Sequence, residues 1–287
     1  MLGEEIRRIR LEKEITQKEL AKILHITQSE LSKIEKGTVL PSAITLFNLS
    51  NELGLDIKYF FNFLSASQYD FINGIYKDIR YEVRKKNYKE VFRLIQKQKN
   101  TPLYNNFNEY RQFIIWHEGI CEYHVNNNLK KALDLLDQAL VTRGKNKIYW
   151  TENEISILNS MGILYFMEED YEEAISCYQE CLELLDDRPD ADEYYKLRIR
   201  VLFNLSKAYT RIGDFNESID ICHEVIDICK NHETMYLLAE IYFQLALNYE
   251  NEDINNYKTY LKKSLEVFTL QGNETYNQQI KKMLNEI

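Results

Sequence analysis

The sequence predicts an all-α fold in two parts, and three observations carry that expectation. Only 9 Gly and 3 Pro punctuate 287 residues, too few for the many tight turns of a sheet protein. Two S/T-x-x-E capping boxes, Thr16-x-x-Glu19 and Thr27-x-x-Glu30, stand eleven residues apart near the N terminus. From about residue 70 onward, small and aromatic residues recur at helical spacing with a period a little above forty residues.

Residues 1–66 read as five short helices. Ile6, Ile9 and Arg10 share a helical period, and the first helix fades near Lys13. Thr16 and Glu19 open a second helix to about Leu24, and Thr27 and Glu30 open a third that stops at Gly37. Pro41-Ser42 starts a fourth helix ending at Gly54, and Ile57 to Phe61 makes a fifth turn or two. The link between the second and third helices, His25-Ile26, is very short; two capped helices on so tight a turn form a helix-turn-helix signature. Leu20, Ala21, Leu24, Ile26, Leu31, Ile34 and Leu46 are expected to make one small core.

That packing leaves Gln28, Ser29, Ser32, Lys33 and Lys36 on the free face of the third helix. Short and amide side chains backed by cations suit base edges and phosphates. Gln28 and Ser29 occupy the first turn, which reaches deepest into a major groove. Gln17, opening the preceding helix, is placed to hold a phosphate. Lys33, Lys36 and Thr38 are expected on the nucleic-acid backbone. The runs Thr16-Gln17-Lys18-Glu19-Leu20-Ala21 and Gln28-Ser29-Glu30-Leu31-Ser32-Lys33-Ile34-Glu35-Lys36-Gly37 resemble the Cro/cI-like family.

The remainder, residues 67–287, repeats. The clearest unit runs through Gly162, Tyr165, Tyr171, Ala174, Tyr178 and Cys181; a second, through Ser206, Tyr209, Phe215, Ser218, Cys222 and Val225, superposes on it. Gly213-Asp214-Phe215 resembles a tetratricopeptide turn. Weaker copies pass through Tyr88, Val91 and Ile95, through Leu129, Ala132, Leu136 and Ala139, and through Ala246, Tyr249, Leu261 and Ser264. Starts near 72, 113, 155, 199 and 239 predict five degenerate tetratricopeptide repeats with long helices, stacked into a right-handed superhelix with a concave binding surface. The first helix of each pair would line that surface. Asn159 and Asn204 fall on it, with Lys207, Arg211, Glu240, Gln244 and Asn248 on the same wall, so a ladder of amides could hold an extended peptide backbone. Arg84, Lys86 and Arg200 could meet a carboxylate. Trp116 reads either as a core anchor or as a pocket wall.

Charge and chemistry narrow the function. Residues 1–66 hold nine Lys/Arg and nine Asp/Glu, so the formal charge of −9 belongs entirely to the rest, and an acidic body repels phosphate. Nucleic-acid contact is therefore expected at the N terminus alone. The first fifteen residues are too charged for a signal peptide, and no apolar run is long enough to span a membrane. With five sparse cysteines, a cytoplasmic protein with reduced thiols is expected. The five histidines form no metal signature, and Cys177 and Cys181 sit at positions where small residues pack. The acidic stretch from Asp186 to Asp192 lacks the glycine and distal glutamate of a calcium loop. No phosphate-binding loop or nucleophile–base pairing occurs, so neither enzyme activity nor a metal or other cofactor is expected.

A helix-turn-helix followed by five such repeats resembles the RNPP family of peptide-sensing regulators over essentially the whole chain. Lys36-Gly37-Thr38-Val39-Leu40-Pro41-Ser42, Asn87-Tyr88-Lys89-Glu90-Val91, Gln112-Phe113-Ile114-Ile115-Trp116 and the two repeat asparagines carry the likeness. The resemblance implies a cytoplasmic homodimer that activates transcription under control of a short re-imported signalling peptide; because one helix-turn-helix buries too little surface for useful specificity, the dimer is expected to bind an inverted-repeat operator in double-stranded DNA. By position, it implies peptide contacts at Asn159 and Asn204, then at Arg84, Lys86 and Gln244, and a relay role for Phe61. Glu240 stands where the family pattern has an amide. Two rival readings exist: a Rap-like response-regulator phosphatase or anti-activator, whose N-terminal helical bundle is here replaced by the helix-turn-helix, and a non-DNA-binding scaffold, which would not need Gln28, Ser29 and Lys33 exposed.

Overall fold

The computed structural model describes residues 2–286 except Ser65, Arg143, residues 145–147 and Asn251; the side chains of Phe61, Asn62, Leu64 and residues 66–70 also lie outside the described set. Every regular element among the described residues is helical. The chain divides into two compact units, Met1–Lys86 and Asn87–Ile287.

The first unit holds α1 (Leu2–Glu12), α2 (Gln17–Ile23), α3 (Gln28–Glu35), α4 (Ala43–Leu53), α5 (Ile57–Leu64) and α6 (Ala66–Arg84). Thr16 and Glu19 form the complete capping box that opens α2, each side chain bonding the other's backbone N–H. At Thr27 only half the box forms: the hydroxyl accepts from the Glu30 backbone, without the reciprocal bond. Between them His25 takes a left-handed φ of 56° and Ile26 N–H bonds back to the Ala21 carbonyl, which closes the turn in two residues. Leu20, Ala21, Leu24, Leu31, Ile34 and Leu46 are all buried in one cluster with Ile6, Leu49 and Phe60, and Ile26 packs at its edge. Gly3 lets α1 approach α3 closely, since a Cβ there would lie only 2.8 Å from the Glu35 carbonyl oxygen.

The second unit is a helical repeat. After α7 (Tyr88–Lys99) and the short α8 (Pro102–Asn106) come four helix pairs: α9 (Asn108–Asn126) with α10 (Leu129–Val141), α11 (Glu152–Met167) with α12 (Tyr171–Asp186), α13 (Tyr195–Ile212) with α14 (Phe215–Asn231), and α15 (Leu238–Tyr249) with α16 (Ile254–Leu270); α17 (Glu274–Asn285) follows. Each pair packs on itself, and the first helices touch in succession, α9 to α11, α11 to α13 and α13 to α15. The repeat positions are the packing positions: Ala132, Ala139, Ala174, Cys181, Ser218, Cys222, Ala246 and Ser264 are fully buried. Gly162 allows the α11–α12 crossing, because a Cβ there would stand 2.6 Å from the Tyr178 ring. Gly213 ends α13 at a φ of 86°, and Asp214 then caps α14 through the Glu217 N–H. The helix expected to begin the first repeat is α6, which groups with the N-terminal unit, while its partner α7 lies in the C-terminal one. The acidic connector after Asp186 makes a single 3-10 turn, Ala191–Tyr194, with Arg188 bonded to Asp190 and stacked on Tyr194.

Candidate functional sites

The first site is the outward face of α3. Leu31 and Ile34 turn inward, and Gln28, Ser29, Lys33, Lys36 and Thr38 are exposed, with Ser32 half-buried. The hydroxyl of Thr38 donates to the Lys33 carbonyl at 3.0 Å, so part of its capacity goes to ending the helix. A buried ion pair that the sequence reading did not identify holds this helix from behind. The guanidinium of Arg10 donates from Nε and Nη2 to the two carboxylate oxygens of Glu35, at 2.6 and 3.0 Å. Its Nη1 donates to the Ile15 carbonyl at 2.8 Å, and Gln17 Nε2 donates to Glu35 Oε2 at 2.8 Å. The Gln17 amide thus ties the start of α2 to the end of α3 and is spent on that contact rather than left free for a phosphate. Desolvation raises the Glu35 pKa, but hydrogen bonds from Arg10 and Gln17 outweigh it and leave the carboxyl below its ordinary range. A sequence signal existed: Arg10 keeps the period of Ile6 and Ile9, and a charge in phase with an apolar stripe needs a buried partner.

The second site is a cavity of about 870 Å³ within the repeat unit. Four of the residues singled out from sequence line it, Lys207, Arg211, Glu240 and Gln244; Phe203, Phe243 and Leu247 supply apolar wall. The Lys207 ammonium lies over the rings of Phe166 and Phe203, 4.8 and 5.4 Å from their centroids. Gln244 Nε2 donates to Thr210 Oγ1 at 2.7 Å, and that hydroxyl reaches Asn248 Oδ1 at 2.6 Å. Asn248 Nδ2 in turn donates to Ser218 Oγ at 2.7 Å, so Asn248 is buried in a polar network. Glu240 is half-buried, its Oε2 is sealed without a hydrogen-bond partner, and burial raises its pKa.

The other candidates lie elsewhere. Asn159 and Asn204 are buried on successive first helices and bond each other, Asn204 Nδ2 to Asn159 Oδ1 at 3.0 Å. Trp116 is 8% exposed and its indole N–H donates to Ser160 Oγ at 2.9 Å, an anchor between α9 and α11. Arg200 Nε donates to the Tyr236 hydroxyl at 3.1 Å. Arg84 and Lys86 are exposed at the end of α6 in the first unit, where Lys86 takes a left-handed φ of 57°. The side chain of Phe61 lies outside the described residues. All five cysteines are buried and unpaired, and burial pushes Cys177 and Cys222 up to about 12. Among the described residues, no cluster of potential metal ligands occurs, and no helix is long and apolar enough to cross a membrane.

The model of the RNPP family C-terminal domain matches residues 76–284, and a helix-turn-helix model matches residues 6–60. An uncharacterized Bacillus anthracis protein, pXO2-35, is 31% identical over 160 residues; the match covers 53% of this chain and spans 56% of that relative's length. The structure of Bacillus thuringiensis PlcR in complex with the peptide PapR7 and DNA superposes with a TM-score of 0.80 at 22% identity, covering 97% of this chain and 98% of that one. The Streptococcus dysgalactiae SHP pheromone receptor Rgg2 matches at a TM-score of 0.69 and 15% identity, over 100% and 99% of the two chains. ComR from S. thermophilus, in complex with DNA and its signalling peptide ComS, matches at 0.63 and 13%, again over 100% and 99%.

Proposed function

The chain belongs to the RNPP family, and from that membership we propose that it is a quorum-sensing transcriptional regulator whose N-terminal unit binds operator DNA and whose C-terminal unit binds a short signalling peptide. In this reading it acts as a homodimer on an inverted repeat, because one helix-turn-helix buries too little surface for useful specificity. Peptide occupancy favours one dimer arrangement over another, since equal affinity for both would shift nothing. Activation of transcription is the direction assigned. One observation carries the proposal: the same chain presents the exposed Gln28-Ser29-Lys33 face on a rigidly backed α3 and a polar-rimmed cavity in a stacked helical repeat. PlcR and ComR, its structural neighbours, are seen with both DNA and a peptide, which supports assigning both partners here.

A gel shift against labelled genomic fragments, with and without culture-derived peptides, tests the reading. Gln28→Ala should relax base preference at one position, by roughly 1–3 kcal/mol for a bidentate contact. Lys33→Ala should weaken binding to all sequences and flatten the salt dependence. Operator affinity unchanged in both variants would refute the DNA interface, and affinity indifferent to every peptide fraction would refute the sensing role.

A further inference from the structure

The cavity of the repeat unit is lined by a carboxylate that no other side chain of the protein pairs. Glu240 stands in the first turn of α15 and lines the cavity half-buried, and one of its two oxygens, Oε2, is buried without a hydrogen-bond partner. The amide one turn further along, Gln244, is already spent on Thr210. Burial pushes the Glu240 carboxyl up, and the contribution that opposes it is the residue's own backbone N–H rather than any lysine or arginine. Lys207, a cation on the wall of the same cavity, lies over the Phe166 and Phe203 rings. A carboxylate held this way in low dielectric is costly to keep ionised, and a ligand that brings both a donor and a positive charge recovers the most.

We infer that this cavity selects a peptide carrying a lysine or arginine, whose cation binds Glu240 while its alkyl stem lies along Phe243 and Leu247. Those two apolar side chains line the cavity from the same helix as Glu240, a wall suited to the stem of a long basic side chain. Arg211 and Lys207, on the α13 wall of the same cavity, take a carboxylate of the same peptide. The ligand is therefore dipolar, with its basic end toward α15. The inference rests on the reading that this unit binds a peptide, and the experiment separates the two.

Synthetic heptapeptide pools, each with one position fixed as Lys, Arg, Ala or Glu and the rest randomised, are titrated against the full chain by fluorescence polarisation. At one position the Lys and Arg pools should bind about tenfold or more tighter than the Ala and Glu pools. Glu240→Gln should erase that preference while the Ala pool still binds, and Glu240→Lys should turn it toward the Glu pool. A Glu240→Gln melting temperature no lower than that of the parent shows that the variant folds, as expected on removal of an unpaired buried charge. Pools that bind without a Lys/Arg preference, or a preference that survives in Glu240→Gln, overturn this inference and leave peptide binding intact. Failure of every pool to bind overturns peptide binding itself, and the inference with it.

Discussion

Glu35→Ala is expected to be among the most damaging single changes in the N-terminal unit. It removes a carboxylate whose side chain is 2% exposed and strands a guanidinium whose side chain is 8% exposed. Two charge-assisted bonds, at 2.6 and 3.0 Å, disappear, and the Ile15 carbonyl at 2.8 Å becomes the one hydrogen-bond acceptor left to Arg10. Breaking one side of such a pair costs about 3–5 kcal/mol. Native domains have about 5–15 kcal/mol of stability in total, so the loss is about a fifth of it at least and more than half for a marginal domain. Removing both charges together, as Arg10→Met with Glu35→Leu, leaves no uncompensated charge, only the Gln17 amide and the Ile15 carbonyl without these partners, and should recover most of the loss, to within about 1–2 kcal/mol of the parent. Native-state hydrogen exchange across α1 to α4 of the full chain, followed as urea rises, reads this locally. The single variant should lose protection throughout these helices and the double variant should regain it. Protection in Glu35→Ala within about 0.5 kcal/mol of the parent would refute the argument, since that is the range of an ordinary surface change. So would a double variant as weak as the single. The pH dependence has a definite sign. The folded carboxyl lies below the ordinary glutamate value, so its stabilisation is complete above about pH 4.3 and is lost as pH falls through the folded value.

Other outcomes follow from the same structure. Gly162→Ala should cost about 1–2 kcal/mol, an overpacking penalty against Tyr178 less the gain in helix propensity, whereas Gly74→Ala, with nothing within 4 Å of the added methyl, should gain about 0.5–1 kcal/mol; equal shifts in urea midpoint would contradict the crossing geometry. Asn204→Ala leaves Asn159 Oδ1 buried without its 3.0 Å donor and should lower repeat-unit stability by about 1–3 kcal/mol, with peptide affinity falling too if the pair also contacts ligand; calorimetry with and without peptide reads both. The thiols of Cys177 and Cys222, pushed up to about 12, should resist iodoacetamide in the native protein at pH 8 and react promptly in urea; rapid native labelling would mean that the seams open.

Much of the fold was readable before any coordinate. Helix starts are written locally, because a threonine hydroxyl and a glutamate three residues on satisfy the N–H groups of the same turn; Thr16 and Glu19 do so here. The repeat positions were readable for a similar reason: only small side chains fit where paired helices cross, and Ala174, Cys181, Ser218 and Cys222 are fully buried there. Gln28, Ser29 and Lys33 were legible by exclusion, as the face left once Leu31 and Ile34 turn inward.

What sequence could not decide were the partners of polar groups that meet across long loops. Arg10 meets Glu35 twenty-five residues away, and Asn204 meets Asn159 forty-five residues away. No local period encodes either pairing, because each depends on the rotation and offset of packed helices. The same holds for the choice between pocket and core. Trp116 and Lys207 both fall on first helices of repeats, yet one is anchored on Ser160 and the other lines a cavity. Helical spacing determines which residues share a face, while the neighbour that packs against that face decides whether a polar group there is spent on the protein or left, as at Glu240, for something else.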